Sequence, residues 1–282
     1  MAHPQIAVFA RLATENSQPV RLLSGQKTRL SRTMHDVRYD EVNDEMLVTN
    51  PFARAIMVFR GGADGEEAPI RIIQGSNTML GDPTRYAGGP DRVAVDAVHD
   101  EIFVPDGSRV LVFDRKANGN VAPIRVLEGP DTRMDNEGTL AVDPLNNVIA
   151  VAQDTVTAGS AKMAHILIFD RTAKGNAKPR GEIAGPKTEI IRINQLQMHP
   201  PKGWIVAAQP GFIDVQKPEG VFIGVWHISD NGDVPPRWKI GGTAKSVMLK
   251  PRGVVLNPKH KEIMVADMRL NSVLTFYFPE IF

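Results

Sequence analysis

Cysteine is absent from the 282 residues. That excludes disulfides, thiolate nucleophiles, zinc–thiolate centres and iron–sulfur clusters together. It leaves the redox compartment open, because a chain this long can bury a core without covalent staples. No apolar run is long enough to read as a membrane span. Net charge is close to nil, with 33 Lys and Arg against 32 Asp and Glu. The sum therefore names no partner, and only local clustering of charge can. The N-terminal Met1-Ala2-His3-Pro4-Gln5 lacks the basic-then-apolar order of an export signal. A native Met1 implies the cytoplasm; a Met1 added to a trimmed chain would leave a periplasmic or secreted setting open. Helical stretches are missing too. The apolar runs are too short for helices, and prolines recur at spacings that would break them.

What the chain does have is a repeat. An aromatic anchor ends a β-branched run at Phe9, Phe59, Phe113, Phe169, Trp226 and Phe276, at intervals of 50 to 57 residues. After each anchor but the last comes a Gly-rich turn, a proline and a short strand carrying arginine. The copies are Pro19-Val20-Arg21, Pro69-Ile70-Arg71, Pro123-Ile124-Arg125, Pro179-Arg180 and Pro236-Arg237. Each runs on to a glycine (Gly25, Gly75, Gly129, Gly185, Gly241), and in four copies a threonine follows at Thr28, Thr78, Thr132 and Thr188. The third element is a pair of short strands around a tight turn, clearest at Val93 to Val104, with counterparts at 37–48, 140–151, 196–207 and 254–265. Short Val, Ile and Phe runs bounded by Asp, Asn, Gly and Pro read as strands and turns.

Four strands in about 50 residues is the unit of a propeller blade. The sequence thus predicts an all-β fold, a β-propeller of four-stranded antiparallel blades in a single domain over residues 1–282. A linear solenoid is the rival, but its repeats are shorter and its strands parallel. With strands A and B for the hairpin, C for the aromatic strand and D for the Pro-Arg strand, the chain begins at C and D and ends at A, B and C. Five blades fit the count, with one C strand left over. Six blades are the alternative. Closure is expected from pairing of the N- and C-terminal strands.

Two segments carry a family resemblance. Pro251-Arg252-Gly253-Val254-Val255-Leu256, followed by Glu262 to Asp267 and Asn271 to Phe276, resembles an NHL repeat. Phe113-Asp114-Arg115-Lys116-Ala117-Asn118-Gly119-Asn120 through Arg125 resembles a segment of bacterial NHL-like propellers, most of them without assigned functions. The resemblance covers nearly the whole chain. It implies the fold, usually with six blades, and for some members RNA binding. It implies no activity, since propellers host enzymes, scaffolds and nucleic-acid binders alike.

Propeller sites lie at a mouth of the central channel, where the D-to-A and B-to-C connections meet. The D-to-A segments are rich in cations, including Arg29, Arg32, Arg85, Arg92, Arg133, Arg192, Lys245, Lys250 and Arg252. The ligand-binding candidates are Arg32, His35, Asp36, Arg85, Asp91, Arg92, Glu137, Asn194 and Arg252. Such a face would attract an anionic ligand or an acidic protein. Nucleic acid is weakly indicated, because no aromatic residues interleave the basic ones.

No catalytic residue, metal site or cofactor emerges. The seven histidines occupy different repeat positions and none has metal-ligand spacing. A ring of His35, Asp36, Asp91, Glu137 and Asn194 could hold a cation through oxygen, but Asp and Asn are also the default residues of turns. Asp40, Asp96, Asp143 and Asn257 recur at the ends of A strands, which marks them as Asx-turn residues. Gly65, Gly119 and Gly175 lack the helix that a phosphate loop needs. The arginines after proline read as edge residues that face solvent or pair with Asp or Glu. The longer B-to-C segments, Gln153 to His165 and Gln209 to Phe222, read as loops of a binding face or as drift. The apolar terminus Leu274 to Phe282 reads as a closing strand.

The leading expectation is a non-catalytic propeller that binds a protein or a small anionic ligand, as an accessory subunit of a larger assembly. A lactonase-like hydrolase or lyase with a cation at the channel mouth is the second, and RNA binding through the Arg-rich face the third.

Overall fold

Alternation of β-branched and polar residues, punctuated by Asp and Gly, produces 21 short strands and no α-helix among the described residues. The computed structural model describes residues 4–32, 34–81, 89–135, 137–153, 164–212 and 218–282, with Glu137 and Gln153 described by backbone alone.

The chain opens with a two-stranded sheet, β1 (Gln5–Val8) and β2 (Arg21–Ser24). Four sheets of four strands follow, each in sequential order. The first holds β3 (Val37–Asp40), β4 (Glu45–Asn50), β5 (Ala55–Arg60) and β6 (Arg71–Gln74). The second holds β7 (Ala94–Asp96), β8 (Glu101–Pro105), β9 (Arg109–Asp114) and β10 (Arg125–Glu128). The third holds β11 (Glu137–Asp143), β12 (Val148–Gln153), β13 (Ile166–Asp170) and β14 (Gly181–Ile183). The fourth holds β15 (Gln195–His199), β16 (Trp204–Pro210), β17 (Val221–His227) and β18 (Trp238–Gly241). A three-stranded sheet ends the chain: β19 (Pro251–Asn257), β20 (Glu262–Asp267) and β21 (Ser272–Tyr277). The fold is a five-bladed β-propeller, with four blades complete in strands and a fifth that carries three.

By contact density the chain divides into two compact units. One comprises Met1–Asp106 with Val112–Ile124, the other Gly107–Leu111 with Arg125–Phe282. In the first, Leu23, Met46, Val48, Met57, Phe59 and Ala63 form a buried cluster. In the second, one cluster joins the faces of the third and fourth sheets through Val148, Ile166, Ile168, Phe222 and Trp226. Another joins the fourth and fifth through Val206, Val225, Val254 and Val265. Apolar residues on both faces of a strand make sense when each sheet is sandwiched by neighbours, and this burial is the main stabilising term.

The repeated turn residues each have a mechanical reason. Asp40 and Asp96 accept hydrogen bonds from the backbone N–H groups two and three residues on, at 3.0–3.1 Å, and Asp143 accepts from Asn146 N at 2.8 Å. These carboxylates shape the first hairpin of the first three four-stranded sheets, as expected. Thr28, Thr78, Thr132 and Thr188 each donate to the carbonyl of the glycine three residues back at 2.6–2.7 Å. Their hydroxyls also accept from the N–H two residues on, which closes a 3-10 turn after β2, β6, β10 and β14.

Two contacts join one repeat to the next. The first lies on the fourth strands. Gly65, Gly119, Gly175 and Gly232 form parallel bridges to Leu23, Ile73, Leu127 and Ile183 of the preceding sheet. For β6, Gly119 N donates to Ile72 O at 2.7 Å, and Gln74 N donates to Gly119 O at 3.1 Å. The flanking Asn118 accepts from Ile72 N at 3.0 Å and Asn120 from Asn77 N at 2.7 Å. Gly119 sits at φ +77°, where a side chain would strain the turn. The glycines once weighed as phosphate loops are these clasps.

The second contact lies on the first strands. Asp36 Oδ2 accepts from Val93 N at 3.2 Å, Thr139 Oγ1 from Leu196 N at 3.2 Å, and Gln195 Oε1 from Val254 N at 2.6 Å. The three acceptors occupy the same repeat position, four residues before the end of their strands. Edge backbone groups that would otherwise need water are thereby satisfied.

β2 pairs with β1, from Gln5↔Ser24 to Val8↔Arg21, and its other edge is taken by Gly65. Both edges of β2 are thus engaged within the first unit. The surplus third strand, β1, is its partner. Phe9, expected as the first aromatic anchor, falls just past β1 and is half exposed.

Candidate functional site

The expected site residues lie where the first strand of each sheet begins. The structure gathers some into a network in the first unit and others into a cationic cluster in the second.

In the first unit, Asp36 is buried and its Oδ2 accepts from Arg38 Nε at 3.1 Å as well as from Val93 N. Its backbone N–H donates to Thr49 Oγ1 at 3.0 Å. His35 Nδ1 lies 2.9 Å from Asp91 Oδ1, and both side chains are partly exposed. Arg92 is buried and donates to the carbonyls of His35 at 2.9 Å and Asp91 at 3.1 Å. His35, Asp36, Asp91 and Arg92 therefore form one assembly, and its hydrogen bonds run mostly to backbone and to each other.

That assembly does not have the form of the cation ring considered from sequence. Asp36 is aimed at backbone N–H and guanidinium donors, which a cation would displace. Among the described residues no group of three His, Asp or Glu side chains is arranged to hold a metal. Arg32 is exposed on its own turn. Arg85 lies outside the described residues, and Glu137 is described only as the first residue of β11, with a register shift between Glu137 and Thr139. Of the two long loops, residues 154–163 and 213–217 lie outside the described residues.

In the second unit, Arg252 and Asn194 stand at the same repeat position, five residues before their strand ends. Asn194 is buried and its N–H donates to Ala208 O at 3.0 Å. Arg252, Arg192 and Arg269 surround Lys250. Burial, and then the positive charge of Arg252, Arg192 and Arg269, hold its ammonium below the usual lysine range. Arg192 is buried, while Lys250 and Arg252 are only partly so.

Asp267 ties the loops of this cluster together through backbone N–H groups. The carboxylate is almost fully buried, and its Oδ2 accepts from Leu249 N at 2.7 Å and Lys250 N at 2.8 Å. Its Oδ1 accepts from Arg269 N and Leu270 N, each at 3.0 Å. Met268 N donates to Lys250 O at 3.0 Å. Two loops that carry cations are thus tied to one another through a single side chain. Four donors on one carboxylate are strong, charge-assisted bonds. Arg269 was not among the residues read as cationic candidates, because it sits in a second-to-third-strand turn. The aspartate two residues before it, at the end of β20, was the available signal.

A third charged group lies elsewhere in the first unit, at the starts of β4 and β6. Arg71 makes two parallel bonds to Glu45 at 2.8 and 2.7 Å, and Arg115 NH1 reaches Glu45 Oε2 at 2.9 Å. Arg115 Nε also donates to Asp100 Oδ1 at 2.6 Å. The Arg71 bonds, more than any other cause, hold the Glu45 carboxyl below the usual range. This arginine after proline therefore pairs with an acid, as the sequence allowed. A groove of about 390 Å³ beside it is lined by Arg29, Pro69, Arg71, Gln74 and Gly119, which are largely clasp residues.

No protein-family model matches the sequence, and no curated protein matches it either. Solved structures do: 713 chains match it. One is "Kuenenia stuttgartiensis Hydrazine Synthase", with a TM-score of 0.56 and 13% identity over 83% of this chain. The match takes in 55% of that chain, so it spans little more than half of the neighbour. At this identity the likeness establishes the propeller fold.

Proposed function

We propose that the protein is a non-catalytic binding propeller of the NHL-like kind that takes an anionic ligand at the Lys250 cluster. One observation carries this reading: Arg252, Arg192 and Arg269 lie near enough to Lys250, just before β19, for their charge to act on its ammonium, and Asp267 beside it accepts from four backbone N–H groups. Like charges held together cost free energy, and an arriving carboxylate or phosphate relieves it. The polar residues of the first unit support the same reading, since Asp36 and Arg92 are engaged in holding strands together. A place as an accessory subunit fits a propeller of this kind, with the ligand carried by a small molecule or an acidic partner.

Titration with inorganic pyrophosphate tests it. Saturable binding that weakens steeply with added salt is expected, because neutralised charges are screened. Lys250→Ala and Arg252→Ala should each weaken binding by about tenfold, equivalent to about 1.4 kcal/mol. Absence of binding at low salt, or binding indifferent to both substitutions, would remove the proposal.

A further inference from the structure

We propose that the groove beside β6 is a second binding site, for a small carboxylate with an apolar body, and that Arg29 receives the carboxylate. The residues that line it belong to the first unit alone. The site is separate from the Lys250 cluster.

The repeat supplies the argument. The residue after each of four 3-10 turns is left-handed: Arg29, Met79, Arg133 and Glu189, at φ +55°, +63°, +62° and +55°. In two copies this residue is charged and is answered from the fourth strand of the next sheet. Arg133 pairs with Glu182 of β14 at 2.5 Å, and Glu189 with Lys239 of β18 at 2.8 Å. The signs are reversed between these pairs, so the position is governed by complementarity and not by one residue type. Glu182 and Lys239 stand directly before Ile183 and Ile240, and Ile72 of β6 holds the same place before Ile73. Met79 has the apolar Val126 as its counterpart and brings no charge to answer. Arg29 departs from the pattern. Its counterpart is Ile72, and its guanidinium makes no hydrogen bond or ion pair among the described residues.

The surroundings define the ligand. The acids of the turn that clasps β2 are already engaged. Asp64 accepts from Leu22 N at 2.8 Å, Glu66 from Gln26 N at 2.7 Å, and Glu67 takes Arg60 in two bonds at 3.1 and 2.8 Å. Arg71, which shares the groove, is held by Glu45. Arg29 is exposed and lines the groove of about 390 Å³ together with Ala68, Pro69, Ile70 and Ile72. Ile70 is 49% exposed, so the groove offers apolar surface to water. Its volume falls in the range of small-molecule sites. Gln74 gives its Nε2 to Ala53 O at 2.8 Å, which leaves its Oε1 to accept. A guanidinium at a groove of apolar residues selects a carboxylate that carries a hydrocarbon or aromatic body. The charge-assisted bond fixes one end, and burial of the body against Pro69, Ile70 and Ile72 adds affinity.

Octanoate is the probe, and two-dimensional amide NMR of the full chain is the readout. Saturable shifts are expected at Arg29, Ile70, Ile72, Gln74, Asn118 and Gly119. Octanamide has the body without the charge, and acetate the charge without the body. Each should bind about tenfold more weakly than octanoate, or worse. Arg29→Ala should weaken octanoate by about tenfold. Ile72→Glu should weaken it as much, by supplying the counter-ion that Glu182 supplies to Arg133. Absence of saturable shifts, or shifts confined to other residues such as Lys250, would overturn the proposal. So would octanamide or acetate binding as tightly as octanoate, or binding indifferent to Arg29→Ala. Arg29 is exposed, so its substitution keeps the question decidable if Ile72→Glu does not fold.

Discussion

Glu45 shows how much one side chain can be asked to hold. It receives two arginines, and both are mostly buried. Replacing it by glutamine would leave Arg71 and Arg115 facing a neutral amide in a place where water cannot compensate. A loss of about 3 kcal/mol in unfolding free energy is expected at neutral pH, in the range for breaking a buried pair. Urea denaturation at pH 7 measures it. The pH dependence has a definite sign. Glu45 is more acidic when folded than its ordinary value of 4.5. The stability it contributes is therefore complete above pH 4.5 and is lost as pH falls through the folded value. Glu45→Gln should flatten that part of the acid limb. His199 is the opposite kind of residue. It occupies the position of the turn aspartates, packs edge-on against Phe282 with ring centroids 5.2 Å apart, and is pushed by burial toward its neutral form.

At the level of the element, the clasp is the unit that repeats, and it explains residues that seemed ornamental. Gly75 faces Asn120 so closely that a Cβ there would lie 2.4 Å from Asn120 Oδ1. Gly75 also sits at φ +134°, which disfavours a side chain independently. Gly75→Ala should cost about 2 kcal/mol, within the range of backbone strain. Asn120→Ala should cost about 1 kcal/mol, the usual worth of a hydrogen bond. The double variant should lose less than the two together, since removing Asn120 relieves the clash. A double-mutant cycle by chemical denaturation reads that coupling. From sequence, Gly75 was visible as a repeated glycine, and Thr78 three residues on as a repeated threonine. The residue that gives Gly75 its purpose, Asn120, lies 45 positions away in the next repeat, beyond any local pattern.

For the molecule as a whole, strand order was legible because turns are local. Asp40, Asp96 and Asp143 bond to N–H groups two or three residues away, so their spacing alone marks each hairpin. The partners of β2 were not legible. They depended on which edge of β2 a glycine from the next repeat would occupy, a matter of tertiary contact. The candidate site divided in the same way. Arg252 and Arg192 could be named because they precede first strands, whereas Arg269 joins them only through the bonds of Asp267. Asp36 looked like a ligand because its role as a strand latch needs Val93, in another sheet. Stability in such a chain is nearly a sum of neighbour terms. Amide exchange should accordingly be slowest in β13 and β17, buried and paired on both sides, and fastest in β1 and β21. Exchange measured by mass spectrometry checks the order, and uniform protection across all five blades would contradict it.

The clasp also has an evolutionary consequence. Four joints among the described residues are built from the same backbone contacts to a glycine, with acceptor side chains supplied by the downstream repeat. A gene that lost or duplicated one repeat by recombination between equivalent codons would rejoin half of one clasp to the matching half of another. Both new junctions would already be complementary. Copy number is therefore a cheap variable for this architecture, and relatives with more or fewer repeats can arise in a single genetic step, without a compensating change at the seam.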